Sequence, residues 1–195
     1  MSSEVEFTHG DVVEAKHRFP GVTFRGAKWD LSHLNAFALR IDPDLGFEID
    51  VVILFSCHCF THSIRHDGRD PKDIPENEIF YDGRVPRVLS EERYNLSRRL
   101  IRSVVQSLPE RQIRIAEGKQ QFFTFEDPSD GAPHQYVMYF EVKKDSRRKK
   151  RMLLQVQSAY RFDDFEPMTK RQQNAGKVRF AKLLRAIYRG GTIHA

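Results

Sequence analysis

The run Phe47-Glu48-Ile49-Asp50-Val51-Val52-Ile53-Leu54-Phe55-Ser56-Cys57-His58-Cys59-Phe60 decides the fold. Apolar residues stand on both sides of the chain from Val51 to Phe55, a pattern that predicts a strand covered on both faces. Just before it, Asp42-Pro43-Asp44-Leu45-Gly46 reads as a hairpin connection from the shorter run Phe37 to Ile41. Further upstream, "VTFRGAKWDL" from Val22 to Leu31 reads as another strand segment. Residues 1–66 are thus expected to form a β-rich layer.

Residues 67–89 are dense in Pro, Gly and Asp and read as an irregular loop, long enough to be functional. A helix is predicted to follow, with Ser90 as N-cap, Glu91 and Glu92 in the first turn and Pro109 as the stop. Tyr94, Ser97, Ile101, Val104, Val105 and Leu108 make its inward stripe, and Arg98, Arg99 and Arg102 lie away from it. Three strand runs come next, "QQFFTFED", "HQYVMYFEVKK" and "RMLLQVQSAYRF", separated by turn-forming or charged stretches. The segment "KVRFAKLLRAIYRGG" ends the pattern as a helix with Phe180, Leu183, Leu184 and Ile187 on one face and Lys182, Arg185 and Arg189 on another. The expected architecture is α+β in one domain: an antiparallel sheet core, an N-terminal β layer, a central helix and a basic C-terminal helix.

The chain has 195 residues, of which 39% are hydrophobic, enough for a buried core without disulfide staples. Its apolar runs are shorter than the roughly 20 residues a membrane helix needs, and the N-terminus lacks the basic-then-apolar order of a signal peptide. A soluble, cytoplasmic protein without membrane partners is the expectation. The net charge of +5 is unevenly spread. Residues 143–195 hold fifteen Lys or Arg against four Asp or Glu, a surplus of +11 that leaves −6 in residues 1–142. Such a split points to a surface for RNA, another nucleic acid or an acidic protein, and equally to a solvated basic face.

Both cysteines lie in the opening run. Cys57, Cys59, His62 and His66 offer four donors of the types zinc accepts, within ten residues. Their spacing departs from the usual pairing of ligands two to four residues apart, so structural zinc is the lesser reading and no cofactor the main one. The alternative is a pair of small buried thiols at a strand end. His58 and His62 are candidates for proton transfer near neutral pH. His33, beside Asp30 and Ser32, and His134, at the start of a strand, are weaker ones. In "LLQVQSAYRF", Ser158 and Tyr160 are expected to continue the face of Met152, Leu154 and Val156. A hydroxyl pair flanked by Arg and Lys is able to hold a phosphate; it also fits the polar end of an ordinary strand.

The stretch from Leu89 to Gly190, with its helix, its meander ending "QVQSAYRF" and its basic "KVRFAKLLRAIY", resembles the barnase, EndoU, colicin and RelE group of metal-independent ribonucleases. That resemblance implies a toxin-like endoribonuclease, active without a cofactor and matched by a cognate protein inhibitor. It implies that Ser158 and Tyr160 are the polar pair of the site and that Arg161, or Arg98 and Arg99, hold phosphate. Arg148, Lys149, Lys182 and Arg185 then extend the nucleic-acid surface. The group's catalytic histidine is missing near the helix, since none lies between His66 and His134, so His58, His62 or His134 must fold back to the meander. The stretches "WDLSHLNAF" and "FSCHCFTH" resemble uncharacterised bacterial proteins labelled as stationary-phase growth adaptation proteins. The alternative to an enzyme is a non-catalytic module that docks on nucleic acid or an acidic partner.

Overall fold

A computed structural model describes residues 2–6, 18–116, 121–126, 135–162, 169–191 and 193. Strand β1 (Ser3–Val5) is followed by a hairpin of β2 (Val22–Phe24) and β3 (Ala27–Trp29). Its turn is made by Arg25 and Gly26 at φ of 50° and 82°, the left-handed pair that matches the twist of a two-residue hairpin. The run read as one strand from Val22 to Leu31 is therefore two short ones. Next come β4 (Phe37–Ile41) and β5 (Ile49–Phe55), then β6 (Thr61–Ser63), β7 (Ile79–Tyr81) and β8 (Pro86–Leu89). These last three form a small sheet in the order β6-β8-β7. Residues 67–89 thus contain two 3-10 turns followed by two short strands; three- and four-residue pairings leave too little periodicity to stand out among so many Pro and Asp.

Helix α1 (Glu91–Leu96) runs without a break through a π-helical turn (Ser97–Ile101) into α2 (Arg102–Ser107). The Ser90 side chain accepts the N–H of Arg93 as N-cap. Four antiparallel-linked strands follow, β9 (Gln112–Ala116), β10 (Gln121–Glu126), β11 (Tyr136–Lys144) and β12 (Arg151–Arg161). The chain continues through α3 (Lys170–Gln173) and β13 (Lys177–Arg179) to α4 (Phe180–Tyr188). Among the described residues no helix is long and apolar enough to cross a membrane.

The fold is α+β. Among the described residues, eight strands form one sheet in the order β1-β4-β5-β12-β11-β10-β9-β13. The N-terminal strands are continuous with the meander through one parallel pairing, β5 with β12, which runs from Asp50 beside Arg151 to Phe55 beside Val156. The double-sided apolar pattern of β5 follows from its central place. Val51, Ile53 and Phe55 join the main core under the helices, while Val52 packs on the other face with Ala38, Leu54 and Leu153. The inward stripe Tyr94, Ser97, Ile101, Val104, Val105 and Leu108 is buried, as are Phe180, Leu183 and Leu184 of α4. Trp29 stacks on Tyr94 with ring centroids 4.2 Å apart and planes 1° from parallel, which fastens the β2–β3 hairpin to α1.

A β-bulge sits in β12. Tyr139 stands opposite Ser158 but Phe140 opposite Val156, so Gln157 is the extra residue. One inserted residue exchanges the faces of everything after it. Ala159 takes over the core face from Met152, Leu154 and Val156, and Tyr160 packs on the opposite face near Phe123, Val137 and Phe162. Ser158 and Tyr160 therefore do not continue the face of Val156, contrary to the simple alternation.

The turn between β11 and β12 is closed by a buried ion pair. Arg151 Nε and one terminal nitrogen lie 2.7 and 2.6 Å from Asp145 Oδ2, and the two side chains are 6% and 5% exposed. Removing one partner strands the other charge in the protein, so Asp145→Ala is expected to cost about 3–5 kcal/mol in denaturant unfolding. Replacing both, as Asp145→Leu with Arg151→Met, restores most of that loss. His33 gives a second expectation. Its Nε2 donates to Ser97 Oγ at 2.8 Å, since the Ser97 hydroxyl itself donates to the Tyr94 carbonyl. Burial lowers this imidazole from 6.5 to about 4. A folded value below the unfolded one means that its contribution is intact above pH 6.5 and is lost as the pH falls towards 4. The unfolding midpoint is expected to drop across that window, and to drop less steeply in His33→Gln.

Candidate functional site

Where β5 stops, a site opens. Its pairing with β12 ends at Phe55 and Val156, because the chain turns away in a 3-10 turn, Cys57–Cys59. Ser56 makes that turn. Its N–H donates to the Val156 carbonyl at 3.0 Å, its hydroxyl donates to the Gln157 carbonyl, and its oxygen accepts the His58 N–H at 3.1 Å. Among the described residues, the end of β12 beyond Val156 has no strand beside it on this side. The space is a cleft of about 640 Å³ lined by His62, Arg65, His66, Asp67, Ser90, Glu92, Arg93, Tyr160 and Arg161.

One wall is a chain of charges. His62 Nε2 lies 2.9 Å from Asp67 Oδ2, so this nitrogen carries the hydrogen and the neutral ring keeps its lone pair on Nδ1. The Asp67 side chain is only 4% exposed and is held on its other side by Arg69 through two hydrogen bonds. Arg69 also reaches Glu78 Oε2 at 2.8 Å, and Arg25 from the β2–β3 turn reaches Glu78 Oε1 at 2.8 Å. Each carboxylate in the series has a cation to offset its desolvation. The Arg69 hydrogen bond holds Asp67 well below the usual carboxylate range. Burial pushes His62 below its ordinary 6.5 against the opposing pull of Asp67, so the ring is neutral at pH 7.

The other wall is cationic. Arg93 lies with its guanidinium 4.7 Å from the centre of the Tyr160 ring and donates to the carbonyls of His58 and Thr61 at 3.3 and 3.0 Å. Arg161 stands 3.6 Å from Glu92. Three arginines and two histidines against Glu92 and an already paired Asp67 give the described lining an excess of basic side chains. A neutral histidine fixed by a buried carboxylate is a base of defined tautomer.

The residues singled out in the sequence fall into separate places. His62, His66, Tyr160 and Arg161 meet in the cleft. The His58 carbonyl faces Arg93, but its ring is not part of the lining, and burial followed by the charge of Arg87 lowers it to about 4. Ser158 lies on the sheet face away from the main core. Arg98 sits over the Tyr94 ring and, with Arg99, is exposed on the helix outside the cleft. Arg148 and Lys149 are at the opposite end of β12, ten residues or roughly 30 Å away. Lys182 and Arg185 lie on α4, which meets that same end where Tyr188 Oη accepts the Lys150 N–H. His134 falls outside the described residues. Among the described residues, Cys57, Cys59, His62 and His66 do not bring their donor atoms into one ligating group. Cys59 is sealed, its thiol pushed by burial up to about 12, and His62 is engaged with Asp67. Arg93, Asp67 and Arg69 were not singled out beforehand. The dense "HDGRD" from His66 to Asp70 was the available signal for two of them, but it reads equally as a turn.

The molecule is thus an α+β protein with a basic, histidine-bearing cleft at the interrupted edge of a mixed sheet. The model of the YjaZ family matches residues 21–188, and the chain belongs to that family. Protein YjaZ of Escherichia coli (strain K12) is 29% identical over 135 residues, which cover 67% of this chain and 72% of that protein. No solved structure matches. The likenesses read from the sequence give way to this assignment. In particular, the resemblance of Leu89 to Gly190 to the barnase, EndoU, colicin and RelE group is not upheld: the family's span takes in the N-terminal strands and the meander together. Helix-plus-meander patterning is shared by many unrelated α+β proteins and carries no lineage by itself.

Asp67→Asn tests the charge chain. Loss of the carboxylate removes the influence that raises His62, so the ring is expected to titrate at lower pH than in the parent protein when followed by NMR. An unchanged midpoint would show that Asp67 does not hold the ring.

Proposed function

We propose that the cleft binds the phosphate backbone of RNA and cleaves it through the neighbouring 2′-hydroxyl. The observation that carries this reading is the convergence of His62, fixed by buried Asp67, with Arg65, His66, Arg93 and Arg161 in one cleft. Neutral His62 takes the 2′-hydroxyl proton as the oxygen attacks phosphorus. His66 in its protonated form delivers a proton to the departing 5′-oxygen, leaving a 2′,3′-cyclic phosphate and a 5′-hydroxyl. The arginines hold the non-bridging oxygens and offset the charge that grows on them. RNA is favoured over DNA because this route uses the 2′-hydroxyl as its nucleophile.

A second reading has one observation of its own. Arg148, Lys149, Lys182 and Arg185 belong to the end of the sheet away from the cleft, where a polyanion or acidic protein would dock without meeting a histidine. One experiment separates the two. Purified protein is incubated with total RNA, and binding to RNA and to single- and double-stranded DNA is measured at two salt concentrations. Cleavage with cyclic-phosphate ends, reduced about 10²–10⁴-fold in His62→Ala, is the expected result. RNA that stays intact at high protein concentration, with salt-sensitive binding lost in Lys182→Glu/Arg185→Glu, would leave only docking.

A further inference from the structure

We infer that Cys57, His58 and Asp82 form a binding site for a divalent transition-metal ion of the zinc class, an assignment independent of the cleft reading. The ligating atoms of the three side chains all lie within 4.8 Å of one another, and none of the three lines the cleft. Around a tetrahedral ion such atoms sit roughly 3.5 Å apart, so small side-chain rotations close the set. Both halves are held in advance by backbone hydrogen bonds. Cys57 and His58 are consecutive in the 3-10 turn capped by Ser56. Asp82 lies in the β7–β8 connection, where its Oδ1 accepts the N–H groups of Arg84 and Val85 at 2.7 and 2.9 Å. A thiolate, an imidazole and a carboxylate together select zinc-like ions over calcium or magnesium, which prefer all-oxygen sets.

The charges around the site define its fourth position. The two anionic ligands balance a divalent ion. Arg87 interacts electrostatically with both Cys57 and Asp82 and is itself held by Thr61 Oγ1 at 2.8 Å. The loaded site therefore carries a surplus of one positive charge, and its open position takes water, hydroxide or a small anion. Cys57 is buried whereas His58 and Asp82 are half-buried, so an ion enters from their side. Bound metal would tie the β7–β8 connection to the turn that ends β5.

Cobalt(II) titration of the reduced protein tests the assignment, because thiolate ligation produces a charge-transfer absorption that carboxylate or imidazole alone does not. The band is expected to saturate at one equivalent, to vanish in Cys57→Ser and to persist in Cys59→Ser. Asp82→Asn and His58→Gln are each expected to weaken binding about tenfold or more. Zinc(II) is expected to displace the cobalt and to raise the unfolding midpoint of the parent protein more than that of Cys57→Ser. Absence of the band at any cobalt excess, its survival in Cys57→Ser, or unaltered affinity in Asp82→Asn would overturn the proposal.

Discussion

The parallel contact between β5 and β12 is the constraint on which the rest depends. It joins residues about a hundred positions apart, which only a long crossover permits, and among the described residues it is the one parallel pairing in an otherwise antiparallel sheet. Asp50 N–H meets the Lys150 carbonyl at one end and Ser56 N–H meets the Val156 carbonyl at the other. Between them, Val51, Ile53, Met152, Leu154 and Val156 are sealed beneath the helices. The entropy of ordering so long a crossover is offset by apolar area removed from water on both sides of the sheet.

What the contact leaves undone matters as much. Because β5 is shorter than β12, the last residues of β12 have no strand neighbour on that side among the described residues, and the bulge at Gln157 changes their faces just where β5 ends. Bulges re-aim side chains beside functional sites, and here the result is Tyr160 under Arg93 and Arg161 towards Glu92. The cleft is a consequence of unequal strand lengths. Its histidines, Arg65 and Asp67 come from the segment that fills the gap, the turns from Ser56 to Arg69, and Arg93 and Arg161 from α1 and β12.

The charges that anchor that segment alternate in sign. His62, Asp67, Arg69, Glu78 and Arg25 form a series in which each anion lies between donors, and its far end belongs to the β2–β3 hairpin. The hairpin is in turn stacked on α1 through Trp29 and Tyr94. Orientation of the cleft histidine is thereby coupled to packing well outside the cleft. A site held by paired charges tolerates loss of both partners better than loss of one.

Much of the fold was legible in local pattern. The stripe from Tyr94 to Leu108, the capping Ser90, the face of α4 and the double-sided β5 follow from periodicity, since burial of one helix face or both strand faces must repeat along the chain. The α+β class, the asymmetry of charge and the presence of histidines near Cys57 were likewise determined by the sequence itself. Which histidine meets which carboxylate was not. Asp67 reads as turn chemistry, Gln157 reads as one more alternating residue, and Arg148 and Arg161 read as one basic region although a strand length separates them. Those outcomes belong to the tertiary structure alone, because a bulge, a strand ending and a parallel pairing act between segments distant in sequence and leave no local period to betray them.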